Sequence, residues 1–256
     1  MKKDIYKKRS TKREVEERKY FNRIALTYDK NYGYKDKFTE YKINKKCTEF
    51  VNFVTAKYGK KSLRILEIGC GTGEYTKAIA SRLPQSSVVA LDISEKIIKV
   101  ARRKCAELDN VSFITKNAYS TGFKKGTFDV VCGYYVLHHL YLTKINIEIA
   151  RVLKPGGIAF FYEPNILNPV VYLIKSTPYL KKKAGDSKDE WAINPLTLGG
   201  YFAPFEVNVS MTEFIWPLKV FSLPLLIRID KVFSLFGKLP IVKYLGGSVQ
   251  IRMKKQ

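Results

Sequence analysis

Residues 66–75 read LEIGCGTGEY: an apolar run reaches Glu67, three glycines follow at alternate positions, and a helix-compatible stretch begins. Gly69, Gly71 and Gly73 therefore fall where a strand turns into a helix, the point at which a ligand meets the main chain of an open parallel sheet. Glycine tolerates positive φ there and lets a ligand lie against bare backbone. A dinucleotide fingerprint, G-x-G-x-x-G, fails because its third glycine would be Glu74. A phosphate P-loop fails too, since no Gly-Lys-Ser/Thr follows.

Around this turn, short β-branched runs at 63–69, 87–93, 111–115, 128–134 and 157–163 alternate with helical stretches near 74–83, 95–108 and 143–153. That rhythm predicts an α/β, doubly wound fold with both faces of a parallel sheet covered. Two more strands are expected at 205–214 and 248–254, and helices at 12–31 and 36–58, the second with Cys47, Phe50, Val51, Val54 and Tyr58 on one face. The expected organisation is one domain with a helical lid at 1–58 and insertions at 164–204 and 217–247. The first insertion is too long for a simple connection, and loops of that size in a compact domain are usually functional or disordered.

The 256 residues are 46% apolar and carry a formal net charge of +23. Such a balance favours phosphates, RNA or anionic membranes, although lysine spread over solvated faces produces the same number. Cys47, Cys70, Cys105 and Cys132 show no C-x-x-C spacing, so neither disulfides nor a metal site is expected and a reducing cytoplasm fits. The basic start, MKKDIYKKRSTKREVEERKY, has no apolar core and does not read as a secretory signal.

A second acid, Asp92, ends the next strand in ALDIS, where a carboxylate can accept both hydroxyls of a ribose. With KNAYSTGF, FDVVCGYYVLHHL and EIARVLKPGGIAFFYEPN following in order, the chain resembles the class I S-adenosylmethionine-dependent methyltransferases from about residue 20 to 163 and again in its last strands. The resemblance implies a Rossmann-like, seven-stranded sheet, mostly parallel with an antiparallel last strand, and S-adenosyl-L-methionine as cofactor. It implies that Glu67, Gly69, Cys70, Gly71 and Gly73 cradle the methionine end, that Asp92 holds the ribose, and that Ile93 packs on the adenine. Asn117 and Ala118 would face the adenine edge, with Asn117 departing from the usual aspartate. Cys132 and Tyr134 would line the methyl-transfer pocket. YFNRIALTYDKNY is similar to the first helix of methyltransferases acting on quinones and other small molecules, which makes Tyr28 a candidate cap on the cofactor.

Methyl transfer from a sulfonium is an in-line displacement that needs a base only if the acceptor must lose a proton. His138, His139 and Glu163, all at the exits of the fourth and fifth strands, are the candidates, each with a structural reading beside it. The fourth-strand exit lacks the N/D-P-P-Y/F motif of enzymes that methylate planar amide-type nitrogens. In the second insertion, Leu225, Leu226, Ile229, Val232, Phe233 and Phe236 fall on one helical face and Arg228, Lys231, Ser234 and Lys238 on the opposite one. This predicts a lid helix or an interfacial one, suited to an amphiphilic or lipid-like acceptor at the inner membrane face. The rival expectations are an RNA methyltransferase exploiting the basic surface, and a cofactor-binding scaffold without activity.

Overall fold

The computed structural model describes residues 2–34, 36–187, 190–214, 221–237 and 239–256, with side chains from residue 12 onward and without that of residue 236. The expectations for Phe236 and Lys238 thus lie outside the described residues. Seven strands, β1 (Arg64–Ile68), β2 (Ser87–Asp92), β3 (Val111–Thr115), β4 (Phe128–Tyr134), β5 (Leu153–Pro164), β6 (Phe205–Thr212) and β7 (Ser248–Lys255), form one sheet. Its order is β3-β2-β1-β4-β5-β7-β6, with only β7 antiparallel to its neighbours. The order in which successive strands are laid down reverses between the parallel neighbours β1 and β4, so the crevice at their carboxyl ends is the position such a sheet reserves for ligands.

Helices α1 (Lys2–Ile24), α2 (Tyr28–Asn31), α3 (Lys37–Tyr58), α4 (Glu74–Arg82), α5 (Glu95–Lys104) and α6 (Leu142–Val152) pack around the sheet. The α3 face places Cys47, Phe50 and Val54 against Ile65, Val130 and Phe160, while α6 buries Ile145 and Ile149 beside Leu66, Val131 and Phe161 on the other side. Two expectations need correction. The helix at 12–31 breaks after Ile24, where Thr27 N–H turns back to Ile24 C=O, and the break aims Tyr28 inward against Tyr32 and Tyr34. The helix at 95–108 stops at Lys104, because Asn110 donates to the carbonyls of Ala80, Leu83 and Ser86 and pins the chain for β3.

The first insertion is more ordered than its composition suggests. Asn168 accepts from the N–H groups of Val170 and Val171 with Pro169 in the first turn, starting α7 (Pro169–Ser176), and α8 (Pro178–Lys183) follows. The second insertion forms α9 (Leu223–Phe236), rotated relative to the expected face. Leu226 and Asp230 point inward, Asp230 accepting from Lys45 Nζ at 2.6 Å and Tyr41 Oη at 3.2 Å, whereas Leu225, Val232 and Phe233 face outward. The ion pair with α3, rather than the apolar stripe, sets the rotation. Among the described residues no helix is long and apolar enough to cross a membrane.

Candidate donor cradle and acceptor pocket

A cavity of about 470 Å³ opens at the carboxyl ends of β1, β2, β4 and β5, roofed by α1, α2 and α7. At one end lies the glycine turn. Gly69, Gly71 and Gly73 all have positive φ, at +68°, +52° and +85°. A Cβ on Gly69 would sit 2.3 Å from Val136 Cγ2, and one on Gly71 would sit 3.1 Å from the Tyr28 hydroxyl, so the turn is pressed by the β4 exit and by the lid. Gly73 answers a different need: its Cβ would lie 3.2 Å from Cys105 Sγ and 3.3 Å from Ala101 Cβ, where α4 passes α5.

Asp92 reaches the cavity wall, accepting from Gly71 N–H at 3.1 Å through Oδ2 and from Ser94 N–H at 2.9 Å through Oδ1. Each oxygen keeps a further lone pair. Burial raises the Asp92 pKa, and these backbone hydrogen bonds oppose the rise. Glu67 lies behind the wall, taking a hydrogen bond from Thr76 Oγ1. Burial pushes its pKa up to about 8, with the Asp92 charge adding and the Thr76 bond opposing, so the acid is neutral at pH 7.

Ile93, Asn117 and Ala118 form the next stretch of wall. Asn117 Oδ1 accepts from Tyr119 N–H at 2.9 Å, and its Nδ2 donates to Glu14 Oε2 at 2.7 Å. A carboxylate from α1 therefore stands where this strand end carries only an amide. Tyr134 lines the cavity with its ring stacked on Tyr75 at 4.0 Å. Cys70 and Cys132 do not reach the cavity, the first packing with Ala90 and Ile98, the second with Phe50 and Phe160.

The other end of the cavity is polar. His138 places Nδ1 2.6 Å from Glu163 Oε2 and Nε2 3.1 Å from Glu190 Oε1; Lys175 Nζ lies 2.5 Å from that same Glu190 oxygen and 2.8 Å from Asp186 Oδ2. His139 places Nδ1 3.2 Å from Glu17 Oε2, with Phe21 edge-on to its ring. Glu163 is fully buried and accepts from the backbone N–H groups of Val136, Leu137 and His138, so it organises the β4 exit rather than facing the cavity. A third cluster joins Lys46 to Glu213 at 2.6 Å, Lys42 to Glu213 at 2.9 Å, and Tyr135 Oη to Glu213 at 2.8 Å. Tyr135 and Glu213 both adopt positive φ, at 56° and 61°, a strain that marks functional regions.

Sequence reasoning missed Glu14, Glu17, Lys46, Lys175, Glu190 and Glu213. Glu14, Glu17, Lys46 and Glu190 sit in charged runs that read as solvated surface, whereas Lys175 and Glu213 are single charges in largely apolar stretches; the fold brings all six to the cavity.

These charges fix a pH dependence. Burial pulls the His138 pKa down, but the hydrogen bonds to Glu163 and Glu190 outweigh it and push it up to about 9 from 6.5. Stability from His138 is thus complete below 6.5 and lost as pH rises through 9. Glu67, raised from 4.5 to about 8, also favours the folded chain at lower pH and loses that advantage by 8. Lys46, lowered by burial to about 8 against the pull of Glu213, adds stability with rising pH above 8. Stability should therefore fall by on the order of 4 kcal/mol between pH 6.5 and 8 and level off above. Thermal unfolding across this range checks it, and His138→Asn should halve the slope.

Residues 65–157 match the family model described as a methyltransferase domain. Residues 65–157 are a methyltransferase domain. A demethylmenaquinone methyltransferase of Lactococcus lactis is 42% identical over 100 residues, 37% of this chain and 39% of the relative. The chain thus spans less than half the length of the curated relatives it matches. Among solved structures, a Thermotoga maritima SAM-dependent methyltransferase, possible histamine N-methyltransferase, superposes with a TM-score of 0.66 at 18% identity, covering 93% of this chain and 99% of its own. A plantazolicin methyltransferase in complex with SAH gives 0.58 at 14%, covering 98% and 99%. At those identities the likeness is one of fold.

The residues of the methyltransferase domain fit the cofactor. Gly69 brings bare backbone to the cavity wall, Gly71 leaves clear the space beside the Tyr28 hydroxyl that a Cβ would fill, and Asp92 presents a buried carboxylate with lone pairs to spare on that wall.

Proposed function

We propose that the chain transfers a methyl group from S-adenosylmethionine to a small, lipid-like acceptor of quinone type. The observation carrying this reading is the continuous cavity that runs from Asp92 and the glycine turn to the His138, His139 and Glu190 cluster. When bound, the cofactor supplies an electrophilic methyl on a sulfonium. Asp92 would hold the ribose hydroxyls, Ile93 and Ala118 would sandwich the adenine, and Tyr28 with Tyr134 would exclude water from the sulfonium end. Most of the rate would come from holding the acceptor in line, since such positioning alone supplies about 7–11 kcal/mol.

At the acceptor end both histidines line the cavity, and His139 is the one we assign to take a proton from a hydroxyl, because both ring nitrogens of His138 are hydrogen-bonded, to Glu163 and Glu190, whereas His139 Nε2 stands 3.8 Å from Glu190 Oε2. The aromatic wall of Phe21, Tyr32, Tyr34 and Tyr135 suits a planar ring, and the quinone-type relative supports that choice. Labelled methyl from the cofactor should appear in hydroquinones bearing short prenyl tails. Transfer only into amines or RNA would replace this acceptor class while leaving the donor site intact.

The outward faces of the insertions support collection of such an acceptor from a membrane surface. Leu235 and Ile241 are 65% and 81% exposed, and Leu173 and Tyr179 project from α7 and α8 near Lys181, Lys182 and Lys183. Apolar side chains above a basic rim favour an anionic bilayer. Replacing Leu235 and Ile241 together by Ser should lower co-sedimentation with phosphatidylglycerol vesicles by about fivefold or more. Equal partitioning of the two proteins would remove the membrane part of the reading.

A further inference from the structure

We propose that His138, His139 and Glu190 form a binding site for a divalent transition-metal ion of the zinc or iron(II) class at the acceptor end of the cavity. Spacing along the sequence predicted no metal, because Glu190 lies far from the histidines in the chain and arrives on the first insertion. The three side chains bring one ligand atom each within 4.8 Å of one another. His138 Nε2 is 3.1 Å from Glu190 Oε1, and His139 Nε2 is 3.8 Å from Glu190 Oε2. Donors around one ion with bonds of roughly 2.1 Å stand about 3.4 Å apart in a tetrahedron. Both separations, each to a different Glu190 oxygen, lie within half an ångström of that edge, and no pair of donors is more than 4.8 Å apart, so the three side chains need only small rotations to meet one ion.

The arrangement behind the donors argues for a metal more specifically. A histidine that ligates through Nε2 commonly donates Nδ1–H to a carboxylate, which fixes its tautomer and orients the ring. His138 has that partner, with Nδ1 hydrogen-bonded to Glu163 at 2.6 Å, and His139 Nδ1 has a carboxylate beside it, 3.2 Å from Glu17 Oε2 but without hydrogen-bond geometry. Two imidazoles with a carboxylate behind each, and with their inner nitrogens directed at a third, approach the plan of two-histidine, one-carboxylate centres. Three protein donors leave open positions toward the cavity, where an acceptor's oxygen can bind; with the ion in place His139 Nε2 is a ligand, and the ion takes over from it the activation of that oxygen. That last role rests on the methyltransferase reading, whereas metal binding itself does not.

Lys175 competes for the same carboxylate. Its ammonium lies 2.5 Å from Glu190 Oε1 and neutralises it in the metal-free chain. Asp186, 2.8 Å from Nζ, can keep the ammonium when the ion arrives. Removing Lys175 should therefore tighten metal binding, a gain that misfolding cannot imitate.

The test titrates the full chain with cobalt(II), following visible ligand-field bands and retained metal after gel filtration. Wild type should take up one cobalt per chain with bands of imidazole ligation. Lys175→Met should bind about tenfold tighter, and His139→Asn and Glu190→Gln at least tenfold weaker. Far-UV circular dichroism and cofactor calorimetry on the same samples separate loss of this site from loss of the fold or of the donor cradle. Absence of bands from folded wild type at millimolar cobalt, or bands that persist unchanged in His139→Asn, would overturn the proposal.

Discussion

Gly71→Val is expected to weaken S-adenosylmethionine binding by about 100-fold or more, equivalent to roughly 2.7 kcal/mol, in a chain that still folds. The first reason is space. A Cβ at this position already comes within 3.1 Å of the Tyr28 hydroxyl, and the two γ-carbons of valine extend further into the volume that a ligand and its aromatic cap must share. The second is conformation, since φ of +52° is one that a β-branched residue adopts only at a cost of about 1–2 kcal/mol. The turn would relax away from Asp92, whose Oδ2 accepts from Gly71 N–H, and so disturb the ribose site as well. Calorimetric titration with the cofactor, beside thermal unfolding, separates the two effects. Normal binding by the valine variant would refute the cradle assignment.

Glu163→Ala should act on the fold rather than on binding. Its carboxylate accepts from Val136 N–H at 3.0 Å, Leu137 N–H at 2.7 Å, His138 N–H at 3.3 Å and His138 Nδ1 at 2.6 Å, all in the interior. Each buried donor left unpaired costs about 1–3 kcal/mol, so a total of about 4 kcal/mol or more is expected, a large share of a domain's stability. The damage would spread to the donor turn, because Val136, which the carboxylate holds in place, is the residue packed over Gly69. Urea unfolding measures this directly. A midpoint equal to wild type would mean that water replaces the carboxylate and that the β4 exit does not depend on it.

The central strands were legible because β1, β4 and β5 are buried on both faces over most of their length and carry near-continuous apolar runs, whereas the edge strands β3 and β6 are only partly buried. All seven fall on the expected segments to within a few residues, with β5 extended back to Leu153 through Pro155 and two glycines. The breaks in the lid were not legible, since Ala25, Leu26 and Thr27 continue a helical pattern and only tertiary contact decides where it bends. The donor turn could be read from residue type alone, because positive φ demands glycine. The acceptor end could not. Glu17, Lys175 and Glu190 look like ordinary surface charges, and their roles arise from tertiary pairing: Glu17 meets His139 across more than a hundred positions, Glu190 meets His138 across 52, and Lys175 meets Glu190 across 15. On α9, Asp230 was passed over in favour of the leucines, although an ion pair with Lys45 is what orients the helix.

Glu14, Glu17 and Phe21 fall on one stripe of α1, with Tyr28 just beyond its end, and together they touch Asn117, His139 and Gly71. One rod thus reaches both ends of the cavity. If the proposed function holds, whichever molecule binds first would bear the cost of seating the rod, and the second would find it already seated. The two affinities would then be linked by a common factor in either order of addition.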